Sequence, residues 1–158
     1  MALAFAPNGN FNGDEKRYNL LYPGDDVVDI LGYDAYAINN NMPAKDRWVG
    51  EVVEDMAMLT RVAAGKGKVA ALAEFGRSGD KMIQPAGNKD LYFYTDLLAA
   101  LKADPQARKL AYMMTWANFG GEPGSNFSAF TPWKGHEMEG DFQAFEQDAY
   151  TLFNRDVQ

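Results

Sequence analysis

The sequence has no cysteine, a single histidine (His136), and no apolar run near the ~18–20 residues that span a membrane. Without cysteine, disulfides, thiolate-bound zinc and thiol catalysis are all excluded. One histidine cannot build a multi-histidine metal site within one chain. Basic residues are also scarce: Lys and Arg number 15 against 22 Asp and Glu, a net charge of −7. Nucleic acid and anionic membrane surfaces are recognised by an excess of Lys/Arg, so both are poor partners for this chain. The opening, Met1 to Pro7, is too short and lacks the basic start of a signal peptide. It reads as a strand entered midway. Low-complexity tracts, heptads and evident linkers are missing too, and 158 residues fit one domain, 1–158.

What is present is an alternation of short apolar runs with helical periodicity. Residues 3–6 form a strand closed by Pro7-Asn8-Gly9, and one or two helical turns follow. Pro23-Gly24-Asp25-Asp26 marks a turn. Residues 27–33 form the second strand, so that Asp34 and Tyr36 sit beyond its end. Val49, Val52, Val53, Met56, Leu59 and Ala63 recur at three and four, giving an amphipathic helix over 47–64, with Glu51, Glu54, Asp55 and Arg61 pointing away from the core. Gly65 and Gly67 stop it. A third strand, 69–73, ends on Glu74. A helix over 90–103 and a fourth strand over 110–116 follow, and the exit carries Asn118. The last helix covers 140–154, with Phe142, Phe145, Ala149, Leu152 and Phe153 inward.

Strands apolar on both faces, each followed by a helix or long loop, predict a parallel sheet in an α/β fold. About four parallel strands with their helices fit half of a (β/α)8 TIM barrel, and they also fit an open doubly wound sheet. No glycine-rich phosphate loop follows the first strand, so nucleotide binding has no support. The polar and aromatic residues Asp34, Tyr36, Glu74, Trp116 and Asn118 gather at the C-terminal strand ends, where barrel active sites are built.

Each of these residues admits a functional and a structural role. Glu74 closes an apolar strand and could attack an anomeric carbon, or it could cap the next loop or pair with Arg77. Tyr36 could hold that carboxylate ionised, or simply reach water from the rim. Trp116 could stack on a pyranose or pack in the core. Asn118 could bond a sugar hydroxyl or its own turn.

Taken together, these segments resemble glycoside hydrolase family 26, the β-mannanase type. Pro23-Gly-Asp-Asp26 leading into Val28-Asp-Ile-Leu-Gly-Tyr-Asp-Ala-Tyr36 resembles the turn and sixth strand of its barrel. Lys68-Val-Ala-Ala-Leu-Ala-Glu-Phe-Gly76 resembles the seventh, and Ala111-Tyr-Met-Met-Thr-Trp-Ala-Asn118 the eighth. Ala4-Phe-Ala-Pro-Asn-Gly9 matches the end of the fifth, and Asp141-Phe-Gln-Ala-Phe-Glu-Gln-Asp-Ala-Tyr-Thr-Leu-Phe153 resembles the closing helix.

The resemblance implies the C-terminal half of a retaining, endo-acting glycosidase on plant β-mannan or a related glucan or xylan, with no metal or organic cofactor. It implies Glu74 as the catalytic nucleophile, Tyr36 as its hydrogen-bond donor, and Asp34 and Trp116 at the reacting sugar. Two departures stand out. Ala117 occupies the place where the family usually has arginine. The family's acid/base glutamate belongs to a His-Glu motif on the fourth strand, and His136-Glu137 follows the eighth and is not that site. The acid/base is therefore expected from an N-terminal half-barrel. A second copy of this chain is the other partner that could cover the open sheet edges. By the same resemblance the protein is expected to be extracellular or periplasmic. Two rival readings remain open: a half-barrel that binds polysaccharide or self-associates without turnover, and an α/β enzyme acting on another substrate.

Overall fold

The computed structural model describes residues 1–37, 47–77, 90–120, 127–153 and 156. Four strands form one sheet in the order β1-β2-β3-β4, all parallel: β1 (Ala4–Phe5), β2 (Ile30–Ala37), β3 (Val69–Arg77) and β4 (Tyr112–Thr115). A short helix α1 (Glu15–Tyr18) lies between β1 and β2. Helix α2 (Trp48–Gly65) lies between β2 and β3, and α3 (Phe93–Ala103) between β3 and β4. After β4 comes a small antiparallel pair, β5 (Phe119–Gly120) with β6 (Phe127–Ser128), and then α4 (Glu139–Gln147). Sequential order, parallel pairing and helical crossovers are what half of a (β/α)8 barrel requires.

The two faces of the sheet differ. One is covered by helices: Leu31, Tyr33, Leu72 and Phe75 pack with Met56, Leu59, Phe93 and Leu97, all 1% exposed or less. Burial of one such side chain contributes about 1.5–3 kcal/mol, so this layer holds the unit together. The opposite face is built from small residues, Ala6, Gly32, Ala71 and Ala73. A Cβ on Gly32 would lie 3.2 Å from that of Ala73 and 3.3 Å from the Ala71 carbonyl oxygen, so a side chain there would crowd the neighbouring strand.

Several boundaries differ from the sequence expectation. The second strand begins and ends later than 27–33, because residues 24–28 turn first: the Val27 and Val28 N–H groups both donate to the Gly24 carbonyl. Asp29 then joins the sheet, accepting the Leu3 N–H on its carboxylate at 2.8 Å. The strand continues to Ala37, so Asp34 and Tyr36 lie inside it and not beyond it. Likewise β3 runs through Glu74 to Arg77. The β5–β6 pair was not anticipated.

Asp55 was expected on the polar face of α2. It is instead 1% exposed, because its carboxylate accepts the Phe11 N–H at 2.9 Å and the Gly13 N–H at 2.7 Å, fastening the loop after β1. The last helix stops at Gln147, short of the expected end, and Asn154 lies outside the described residues. Asp148 is extended and pairs with Lys102, while the Thr151 hydroxyl caps the Phe145 and Glu146 carbonyls. Ala149 and Leu152 are consequently exposed and do not point inward.

Helix α3 has no side-chain cap of its own at its start. Asp141, from α4, serves instead: its carboxylate accepts the N–H groups of Tyr94 at 2.8 Å and Thr95 at 3.2 Å, and the Thr95 hydroxyl. Orphan N–H groups at a helix start need such acceptors. Asp141→Ala is expected to destabilise the protein by about 2–3 kcal/mol, and Asp141→Asn by less because its amide oxygen still accepts. Urea denaturation of both variants measures the difference.

Candidate active site

In a parallel pair, residues at matching register share a face, and alternate residues repeat it. Along β2, Gly32, Asp34 and Tyr36 therefore face away from the helices. Simple alternation along β3 would give Glu74 the same direction as Leu72, toward the helices. It does not take that direction, because β3 carries one extra residue. Tyr33 pairs with Leu72, yet the next residue, Asp34, pairs with Glu74. The same slip occurs on the other side, where Leu72 pairs with Met113 and Phe75 with Thr115. Ala73 is thus a bulge against both neighbours. A bulge re-aims the side chain after it, and Glu74 is turned onto the face of Asp34 and Tyr36.

The Tyr36 hydroxyl donates to Glu74 Oε2 at 2.6 Å, a short bond of the kind formed with a charged acceptor. Burial and this carboxylate together push the Tyr36 phenol well above its usual range, so it remains a donor. Asp34 is next to Glu74 in register. Burial first, and the Glu74 charge second, raise its carboxyl to about 6. Its Oδ1 is buried and has no hydrogen-bond partner among the described residues.

Trp116 lies just past β4, its N–H still donating to the Phe75 carbonyl at 3.0 Å. Thr115 pairs with Phe75 on the helix side, so alternation turns Trp116 toward the face of Glu74. At 40% exposure its ring is open to a ligand and is not a core tryptophan. Asn118 is used by the chain itself. Its Oδ1 accepts the Phe130 and Thr131 N–H groups at 2.7 and 3.0 Å, and its amide donates to the Thr131 carbonyl at 2.9 Å. Arg77 lies on the helix side and pairs with Asp90 at 2.8 Å, both 2% exposed. His136 is buried against Trp133, its Nδ1 accepting the Met138 N–H in the turn before α4.

Sequence reasoning missed Phe130, whose ring packs edge-on against Tyr36 with centroids 5.6 Å apart. No spacing rule pointed to it, since it lies beyond the last predicted strand. The arrangement as a whole is an ionisable carboxylate held by a phenol, beside a second carboxyl that resists ionisation and an open indole. That set suits attack on, or charge stabilisation at, an electrophilic carbon.

A family model described as glycosyl hydrolase family 26 matches residues 1–79. A mannan endo-1,4-β-mannosidase of Bifidobacterium adolescentis is 47% identical over 144 residues, covering 90% of this chain and 14% of that protein. The solved modular endo-β-1,4-mannanase of Cellulomonas fimi superposes with a TM-score of 0.83 at 40% identity, covering 98% of this chain and 32% of that one. The catalytic domain of an endo-β-1,4-mannanase from Bacillus sp. JAMB-750 does so with a TM-score of 0.80 at 34% identity, over 98% and 40% of the two chains. The chain belongs to glycoside hydrolase family 26, and it spans well under half the length of these relatives.

The raised carboxyl of Asp34 has a defined consequence. The folded state holds this proton more tightly than the unfolded chain does, so its contribution to stability is complete below the ordinary carboxylate range, near 3.8, and is lost as pH rises through about 6. Asp34→Asn is expected to remove that part of the pH dependence and to raise the melting temperature at pH 8 relative to the parent. Thermal denaturation between pH 4 and 8 reads both effects.

Proposed function

We propose that this chain is the nucleophile-bearing part of a retaining endo-β-1,4-mannanase acting on plant β-mannan. The observation that carries the reading is the 2.6 Å hydrogen bond from Tyr36 to Glu74, on the one sheet face shared with Asp34. In the first step a Glu74 oxygen bonds to the anomeric carbon while the glycosidic C–O bond breaks, and the leaving oxygen takes a proton from an acid/base carboxyl. In the second, water loses its proton to that same group and displaces Glu74. Tyr36 sets the direction of the Glu74 carboxylate through its hydrogen bond, Trp116 offers its ring to the apolar face of the sugar, and Asp34 meets the sugar hydroxyls. Asn118 contributes indirectly, by pinning the residues that pass over the site.

A retaining geometry needs the second carboxyl about 5–5.5 Å from the first. We assign it to residues of the complete protein outside this chain, the remaining strands of the barrel. The edges support such a partner. Leu20 and Leu21, between β1 and β2 in the chain, are 79% and 78% exposed, and Met114 in β4 and Leu152 near it are 51% and 76% exposed. A groove of about 880 Å³ runs along β4, lined by Leu98, Leu101, Met113, Phe142, Phe145 and Phe153. A polymeric substrate further suggests an extracellular or periplasmic site of action. The same bare edges favour a second reading, in which two copies of this chain pair edge to edge without turnover. Such a dimer would oppose two Glu74 carboxylates and supply no acid/base.

In the complete enzyme, Glu74→Gln is expected to lower kcat on mannan by several orders of magnitude without changing the melting curve. For this chain alone, lack of the separate acid/base carboxyl costs a further factor of typically about 10²–10⁴ in rate. This chain by itself should show no turnover. A Glu74→Gln enzyme with ordinary activity would overturn the proposal, and mannan hydrolysis by the isolated chain would overturn the assignment of the acid/base.

A further inference from the structure

Among the described residues, most aromatic side chains belong to the core on the helix-covered side of the sheet. Phe130 is an exception: it is 9% exposed, yet it lies on the other face, over the site. Its peptide is held from both directions. The N–H donates to Asn118 Oδ1 at 2.7 Å, and the carbonyl accepts the hydroxyl of the fully buried Tyr94 at 2.6 Å. The ring is fixed as well. It lies over Gly76, where an added Cβ would come within 2.8 Å of Phe130 Cδ1 and 3.3 Å of its Cβ, so only glycine leaves it room. Phe119 stacks on it at 6.1 Å and 22°. The anchored ring also meets Tyr36, edge to face at 5.6 Å and 69°.

We infer that Phe130 is a positioning residue, which acts through Tyr36 by fixing the direction in which the phenol hydroxyl is offered to Glu74. The inference rests on the function proposed above and extends it to a residue that touches neither sugar nor nucleophile. Tyr36 turns about two side-chain torsions, and a hydroxyl must arrive in line to bond at 2.6 Å. The wall supplied by Phe130 removes one direction of swing and keeps water from the phenol. Misplacing a group at a reacting centre by an ångström costs on the order of a hundredfold in rate.

The test compares Phe130→Leu, Phe130→Ala, Tyr36→Phe and the double variant Phe130→Ala/Tyr36→Phe in the complete enzyme, with mannohexaose as substrate and melting curves for each. The expected result is a fall in kcat for Phe130→Ala of about tenfold to a hundredfold, with KM within about twofold, and a smaller fall for Phe130→Leu. In the Tyr36→Phe background Phe130→Ala should change kcat little further. Independent losses that multiply, or a Phe130→Ala enzyme with parental kcat, would overturn the inference. A parent without turnover, or a Tyr36→Phe enzyme of full rate, would count against the functional reading instead. A second readout needs no turnover: 3-fluorotyrosine placed at position 36 and followed by ¹⁹F NMR. Phe130→Ala should lower the titration midpoint of that phenol and shift its resonance, and an unchanged midpoint and shift would overturn the inference on their own.

Discussion

The extra residue at Ala73 is the constraint on which the site depends. Each β3 neighbour advances one residue fewer than β3 does across this point, so the strand must accommodate Ala73 without a partner. Before the bulge, Leu72 belongs to the helix-covered layer; after it, Phe75 belongs to the same layer, and Glu74 is left facing the other way. The hydrophobic layer fixes both flanks, since neither Leu72 nor Phe75 could leave it without exposing a large apolar side chain. Packing on one face therefore dictates where the carboxylate points on the other. The small residues Gly32, Ala71 and Ala73 leave room on that part of the face.

Loops are held to this frame by buried carboxylates acting as acceptors for backbone N–H groups. Asp55 fastens the segment after β1 to α2, and Asp141 fastens the start of α3 to α4. In both cases burial raises the carboxyl pKa while the hydrogen bonds oppose the rise. Asp34 is different in kind, for burial and the neighbouring Glu74 act in the same direction and a buried oxygen has no partner among the described residues. A fold that gives Asp55 and Asp141 backbone donors while leaving Asp34 without one among the described residues retains a cost at the site, where a polar ligand can relieve it.

Much of this was legible in the sequence because strong periodicity survives in single residues. The α2 stripe Val49, Val52, Met56, Leu59 and Ala63 is buried as its spacing required, and the parallel order followed from strands apolar on both faces. Three residues that the structure brings onto one face were singled out, but for an incomplete reason. Asp34, Tyr36 and Glu74 were read as sitting at strand ends; they sit within strands, brought onto one face by register and a bulge. A bulge leaves no mark in a run such as Val-Ala-Ala-Leu-Ala, because the small residues fit either side. Phe130 and the cross-helix cap from Asp141 were invisible for another reason: both act over distances that only the folded chain closes. Asp55 shows the limit of a polar/apolar pattern, since a carboxylate is buried readily where two N–H groups await it.

The sheet edges at β1 and β4 and the nucleophile role proposed for Glu74 belong together. A half-barrel exposes backbone donors and acceptors at β1 and β4, and the chemistry proposed for Glu74 calls for a second carboxyl that the rest of a barrel would carry. The proposed chemistry turns on Glu74 as the group that bonds to sugar. The direct measurement is mass spectrometry of the complete enzyme after reaction with a 2-deoxy-2-fluoro-mannosyl fluoride, which slows hydrolysis of a covalent intermediate. The account predicts a single fluoromannosyl adduct on the peptide containing Glu74. An active enzyme that carries the label on another residue, or that forms no adduct while still turning over with retention, would contradict it.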